Sequence, residues 1–174
     1  MNGPVAYISL GSNLGDSRQL LQSALARLQD FSDEPVVCSS FWQTTPVDCP
    51  PGSPPFVNAV AGLRVRGGET PETLLQKLRG LEVECGRLPK QVLNEPRLLD
   101  LDLICFGAEI RHTPELTLPH PRAHQRKFVL QPLAEVAPDL ILPGQNRSVR
   151  RLLAALPAGP EAAKLQGKNR PPVG

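Results

Sequence analysis

The stretch Pro96-Arg97-Leu98-Leu99-Asp100-Leu101-Asp102-Leu103-Ile104 alternates leucines at 99, 101 and 103 with two carboxylates. A period of two predicts a strand with one apolar face against a core and one face that carries both acids. At about 3.3 Å of rise per residue the two Asp Cα atoms stand roughly 6.6 Å apart, within joint reach of one divalent cation or of a pair. Carboxylate oxygens suit Mg²⁺, which completes its shell with water and phosphate oxygens, and Arg97 upstream offers a fork that matches phosphate. The alternative, for an isolated D-x-D, is an edge strand whose acids are merely solvated.

Upstream, Val5 to Leu10 reads as a first strand that runs into the turn-forming cluster Gly11-Ser12-Asn13-Leu14-Gly15-Asp16. Leu20, Leu21, Ala24, Leu25 and Leu28 follow helical spacing, so a first helix is expected to about Gln29, capped by Asp16. The cluster lacks both the lysine of a P-loop and the spacing of a dinucleotide fingerprint, and its two glycines read as permitting a tight strand-to-helix turn. Val36 to Trp42 and Phe56 to Val65 read as second and third strands, joined by a connection rich in proline from Thr45 to Pro55 that suits a stiff wall or a plain surface loop. Thr70-Pro71-Glu72 opens a second helix that ends near Cys85-Gly86.

Downstream of the acids, prolines 114, 119 and 121 predict an irregular stretch. Phe128 to Val136 then reads as a third helix, Leu140 to Leu142 as a short extended piece and Ser148 to Leu156 as a last helix. The order β-α-β-β-α-β predicts an α+β, ferredoxin-like sandwich, with helices returning to one face of a mainly antiparallel sheet. One domain is expected over residues 1–156, followed by a Pro, Ala, Gly and Lys-rich tail over 157–174 that is expected to be disordered.

The chain has 174 residues and a net charge of +2, which excludes two catalytic domains and gives no electrostatic footprint for nucleic acid. Small-molecule partners and a monomer are expected, with no nucleic acid and no membrane. No apolar run approaches a membrane span and the N-terminus lacks the pattern of a signal peptide, so a cytoplasmic location is expected. Cys38, Cys49, Cys85 and Cys105 show neither zinc nor disulfide spacing and read as reduced packing residues.

Six segments, taken in order, resemble the 6-hydroxymethyl-7,8-dihydropterin pyrophosphokinases, enzymes of folate biosynthesis. They are Tyr7-Ile8-Ser9-Leu10-Gly11-Ser12-Asn13-Leu14-Gly15-Asp16, Ser39-Ser40-Phe41-Trp42-Gln43-Thr44, Phe56-Val57-Asn58-Ala59, Glu82 with Gly86-Arg87, the aspartate strand, and Pro119-His120-Pro121-Arg122. The resemblance runs from about Val5 to Pro143. It implies transfer of pyrophosphate from ATP to the hydroxymethyl group of the pterin, with AMP leaving and two Mg²⁺ held by Asp100 and Asp102. It implies a pterin between Phe56 and Phe128, read by Asn58 and by the Thr44, Thr45, Pro46 and Val47 segment. It also implies phosphate or nucleotide contacts from Glu82, Arg87, Arg97, Leu103, Thr117, His120 and Arg126, with Arg87 and Arg97 stabilising developing charge. His120 is expected to bind rather than to act as a base, and His112 and His124 have no counterpart. Aromatic residues make up only 4% of the chain, which gives weight to two at matching places.

The chain departs from the family pattern at Pro89 and at Leu93-Asn94-Glu95, just before Pro96-Arg97. These changes bear on how a catalytic loop closes on the nucleotide, and Glu95 is expected to oppose closure, either by repelling phosphate or by pairing with Arg87, Lys90 or Arg97 in the open loop. Two other readings compete: an RNA-binding sheet, disfavoured by two acids on the exposed strand face, and a relative that keeps pterin affinity but has lost transfer. Release of AMP separates the second from an active enzyme.

Overall fold

A computed structural model describes residues 3–45, 51–85, 98–157 and 162–165. Val5–Ser12 forms β1, in which Ala6, Ile8 and Leu10 are fully buried at every second position. The Asp16 carboxylate accepts the Gln19 N–H at 3.2 Å and so caps α1 (Ser17–Leu28), a helix that buries Leu21, Ala24, Leu25 and Leu28. A single 3-10 turn, Gln29–Phe31, follows.

The single strand expected over 36–42 divides into β2 (Val37–Cys38) and β3 (Trp42–Thr44). Ser39 makes the break: its hydroxyl accepts the Val60 N–H at 3.0 Å and donates to the Ser40 carbonyl at 2.7 Å, substituting a side chain for the ladder. Phe56–Arg64 forms β4. Thr70 and Thr73 exchange the reciprocal bonds of a capping box at the start of α2 (Pro71–Glu84). The aspartate run becomes β5 (Asp100–Phe106), followed by the short pair β6 (Arg111–His112) and β7 (Thr117–Leu118) inside the stretch expected to be irregular. Two-residue strands are too short to show a period. Then come a 3-10 turn at Ala123–Gln125, α3 (Lys127–Val136), α4 (Val149–Ala155) and β8 (Ala162–Lys164).

The main sheet runs β5-β1-β4-β3-β8, with β2 also on β4 and every pairing antiparallel. This is the ferredoxin-like order with short edge additions. The two helices of the β-α-β-β-α-β unit share one face, and the two later helices cover the other. α1 and α2 cover the face of Ile8, Leu10, Ala59, Ala61, Leu63, Leu99, Leu101 and Leu103, whereas α3 and α4 pack on Val60, Ile104 and Cys105 from the other side. Ala59-Val60-Ala61 is apolar at every position, the pattern of a strand buried on both faces. The Leu140–Leu142 piece forms no strand; the Leu140 carbonyl instead accepts the Val149 N–H at 2.8 Å, and Leu142 is buried against α3 and α4. Disorder was the expectation for the tail, yet its residues 162–164 pair with β3, in register from Trp42 opposite Lys164 to Thr44 opposite Ala162. An edge strand with unpaired donors and acceptors provides the template for that addition.

Candidate functional site

The pairing register assembles the site. Asp100 lies opposite Gly11 of β1, Gly11 lies opposite Asn58 of β4, and Asn58 lies opposite Trp42 of β3. Directly paired residues share a face, so a carboxylate, a residue without a side chain and an amide stand in one row on the face toward α3. Neighbouring strands are about 4.8 Å apart, which puts Asp100 and Asn58 about 9.5 Å from each other across Gly11. The next row on the same face sets Asp102 opposite Ser9. Both aspartates are half-buried and Leu101 between them is fully buried, as the alternation predicts.

Gly11 is not part of a turn, which corrects the reading of its cluster. β1 continues through it to Ser12, and only Gly15 takes the left-handed conformation, with φ 74°. A Cβ on Gly11 would stand 3.1 Å from Asn58 Oδ1 and 3.9 Å from Phe56 Cδ1, so the missing side chain is what leaves room for those two residues. Asn58 is 4% exposed, and its Nδ2 donates to Thr44 Oγ1 at 2.6 Å. Thr44 is buried, Thr45 is exposed and Phe56 is half-buried at the mouth. Asn13, in the cluster that follows β1, is 2% exposed and donates through Nδ2 to the Pro54 carbonyl at 3.3 Å, which fastens the loop ahead of Phe56.

The opposite wall is cationic. Phe128, in the first turn of α3, is half-buried, and the Arg126 guanidinium lies 5.3 Å from its ring centroid. Burial, with help from Arg122, lowers the Arg126 pKa from its ordinary value, while Asp102 and Asp100 act in the opposite sense, so this guanidinium feels both carboxylates. The pKa of His120 is held below the usual histidine value by burial, then by Arg126 and Arg122, against a smaller opposing effect of Asp100. Its Nδ1 accepts the Arg122 backbone N–H at 3.2 Å, so the neutral ring carries its proton on Nε2, free to donate to a ligand. The His120 N–H in turn donates to the Ile104 carbonyl at 2.8 Å, which fixes this segment on β5. Thr117 is half-exposed in β7, next to β5. Among the described residues no group of three or more His, Cys, Asp or Glu gathers, so two carboxylates are what the described protein offers a cation here. That donor set fits Mg²⁺ completed by phosphate and water rather than a metal caged by protein.

Two residues expected to contact nucleotide have buried side chains. Leu103 is 4% exposed within the core beneath α1 and α2, since it alternates with the acids. Glu82 is fully buried rather than on a solvated helix face: it accepts from Arg79 Nη1 at 2.5 Å and from the Leu101 N–H at 3.3 Å. The Arg79 Nη1 also reaches the Leu101 carbonyl at 3.2 Å, so this pair supports the residue between the two aspartates from behind. Pro46, Val47, Arg87, Pro89, Leu93, Asn94, Glu95 and Arg97 lie outside the described residues. His112 is exposed and His124 half-buried. Burial pushes the Cys38 and Cys105 thiols up to about 12, which suits inert packing groups. A separate groove, lined by Val5, Tyr7, Gly62, Arg64 and Val136 at the far end of the same sheet face, contains none of the predicted site residues.

The fold is ferredoxin-like, with two carboxylates, a buried amide and a glycine in adjoining rows on one face of its sheet. Residues 7–138 match the family described as 7,8-dihydro-6-hydroxymethylpterin-pyrophosphokinase (HPPK), and the chain belongs to that family. It is 40% identical over 152 residues to the 2-amino-4-hydroxy-6-hydroxymethyldihydropteridine pyrophosphokinase of Pseudomonas aeruginosa, covering 87% of this chain and 91% of that one. It is 41% identical over 142 residues to the enzyme of the same description from Haemophilus influenzae, covering 81% of this chain and 86% of the relative. Among solved structures, an HPPK-DHPS crystallised with substrates superposes with a TM-score of 0.70 over 89% of this chain, at 12% identity. The wild-type Plasmodium falciparum HPPK-DHPS with pteroate does so with a TM-score of 0.70 over 88%. At that identity the likeness speaks for the fold alone, and this chain spans 43% and 44% of those two longer chains.

Proposed function

We propose that this chain transfers the pyrophosphoryl group of ATP to the hydroxymethyl oxygen of 6-hydroxymethyl-7,8-dihydropterin, a step of folate biosynthesis, using the row Asp100–Gly11–Asn58 as its axis. Membership of the family carries the reaction. The single observation that carries the assignment of residues is the register that sets an amide and a carboxylate two strands apart with a glycine between them.

The flat ring stacks between Phe56 and Phe128, its polar edge paired with Asn58 and the Thr44 segment. Its one-carbon arm then crosses Gly11 toward the aspartates. The hydroxymethyl oxygen attacks the β-phosphorus, the bond from that phosphorus to the α,β-bridging oxygen breaks, AMP leaves with that oxygen, and the hydroxyl proton passes to solvent. Asp100 and Asp102 suit two Mg²⁺ ions, which when bound supply charge neutralisation and Lewis acidity at the attacking and leaving oxygens. His120 donates from Nε2 to a nucleotide acceptor, and Arg126 offsets phosphate charge from the α3 side. Arg87 and Arg97 belong to this proposal on sequence grounds. Free thiols at Cys38, Cys85 and Cys105 suit a reducing compartment such as the cytoplasm. No described helix is long and apolar enough to cross a membrane.

The test is to incubate the chain with ATP, the pterin and Mg²⁺ and to separate products by chromatography. AMP and the pterin pyrophosphate should appear in equal amounts, stop with EDTA and resume with excess Mg²⁺. ATP consumption without AMP, or product formed in EDTA, would overturn the proposal.

A further inference from the structure

The short strand β8 lies outside the matched family segment of residues 7–138, yet it is joined to the wall of the site. It pairs with β3, whose last residue, Thr44, faces Ala162. The pairing continues past the strand, where the Leu165 N–H donates to the Phe41 carbonyl at 2.8 Å and Leu165 packs against the core. On the other side of β3, Thr44 holds the Asn58 amide at 2.6 Å. β3 is only three residues long, so between its two neighbours it has few ladder bonds with which to resist movement.

A second connection crosses from the same strand to the other wall. Trp42 and Lys164 are paired across β3 and β8, and both reach Glu135 of α3: Trp42 Nε1 at 2.5 Å from Oε1, and Lys164 Nζ at 3.6 Å from Oε2. Ser40 Oγ donates to Oε2 as well, at 2.9 Å. α3 carries Phe128 in its first turn, two turns before Glu135. β8 therefore contacts the strand that presents Thr44 and the helix that presents Phe128.

We infer that β8 is a latch on the pterin pocket: it positions Thr44, and through Thr44 the Asn58 amide, and it clasps β3 to α3 through Lys164 and Glu135. It touches no substrate and acts on affinity for the ring rather than on the phosphate chemistry. This inference rests on the reading of Thr44, Asn58 and Phe128 as pterin contacts.

The test compares the full chain with Ala163→Pro, which removes the donor facing Gln43 in mid-strand, and with a chain ending at Pro157. Dissociation constants are measured by calorimetry for 6-hydroxymethylpterin and, separately, for a non-hydrolysable MgATP analogue. Ala163→Pro should weaken pterin binding at least tenfold and nucleotide binding less than twofold, with a cooperative melt retained. A synthetic peptide of residues 158–174 should restore the pterin affinity of the shortened chain. Unchanged pterin affinity in Ala163→Pro, equal losses for both ligands, or loss of the fold would each overturn the latch. Asn58→Ala separates the two layers of the argument. If that change leaves pterin binding intact, the pocket assignment is wrong; if it weakens binding while Ala163→Pro does not, the pocket stands and the latch falls.

Discussion

Replacing Gly11 by alanine puts a methyl carbon 3.1 Å from Asn58 Oδ1, a few tenths of an ångström inside ordinary contact, while its distance from Phe56 Cδ1, 3.9 Å, is comfortable. The strain therefore falls on the amide. Asn58 cannot simply rotate, because Nδ2 is held at 2.6 Å by Thr44 in a position only 4% exposed. Moving Oδ1 away costs either an off-rotamer torsion, about 0.5–1.5 kcal/mol, or the Thr44 hydrogen bond, about 0.5–1.5 kcal/mol. Either way the amide is displaced, so pterin affinity should fall by about 0.5–1.5 kcal/mol, roughly 2- to 12-fold. Folding stability should change far less, since alanine restricts the unfolded chain and recovers about 0.4–1 kcal/mol. Calorimetric titrations of Gly11→Ala with 6-hydroxymethylpterin and with a non-hydrolysable MgATP analogue, alongside a thermal melt, give the three readings. Wild-type pterin affinity would refute the reasoning, because the methyl would then fit beside an amide already in use; an equal loss for the nucleotide would show a sheet-wide distortion instead.

Asp100→Asn and Asp102→Asn should each cut AMP formation by about 10³-fold or more, several kcal/mol of lost electrostatic stabilisation, with melting temperatures within a few degrees of wild type; turnover near wild type in either would reject the cation-binding role. Phe56→Ala should weaken pterin binding by roughly 1–3 kcal/mol and spare the nucleotide, whereas Phe128→Ala, which also strips Arg126 of its ring, should affect both ligands; the reverse ordering of selectivity would count against the stacking model. Glu82→Gln leaves the Arg79 guanidinium without its buried carboxylate and should lower both the melting temperature and kcat while leaving the KM for pterin close to wild type; a change confined to the KM for MgATP would point to the direct nucleotide contact expected from sequence. His120, with its pKa lowered in the fold, is protonated more readily in the unfolded chain. Its share of stability is thus whole above about pH 6.5 and lost as pH falls through the window beneath, so His120→Gln should flatten the melting temperature profile between about pH 7 and pH 5. An unchanged slope would mean the ring is not desolvated.

The acids at 100 and 102 were readable because alternation is local: five consecutive residues state which face is apolar. Asn58 and Phe128 entered through the family resemblance, since a lone amide in an apolar run and a phenylalanine at a helix start have no period of their own. The strand position of Gly11 and the burial of Glu82 against β5 are hidden from the sequence for a shared reason. What each residue meets is set by partners 47 and 19 residues away, Asn58 and Leu101, and no window along the chain contains that pairing.

Register also explains why the alternation had to be interrupted. From the far end, β1 pairs with β5 as Ala6 with Phe106 and Tyr7 with Cys105; from the near end, as Ile8 with Leu103 and Gly11 with Asp100. Ile104 is passed over, a β-bulge within the unbroken apolar run Leu103-Ile104-Cys105-Phe106. Continuing the first register would set Leu101 opposite Gly11, turning the leucines into the site and both carboxylates into the core under α1 and α2. One extra residue therefore decides which face carries the acids, and it leaves Ile104 and Cys105 packed together on the α3 side. The carbonyl of the bulged residue is the one that accepts the His120 N–H at 2.8 Å. The irregularity that aims Asp100 and Asp102 outward thus also anchors the histidine segment beside them, so the carboxylate and cationic halves of the site are set by a single feature of β5.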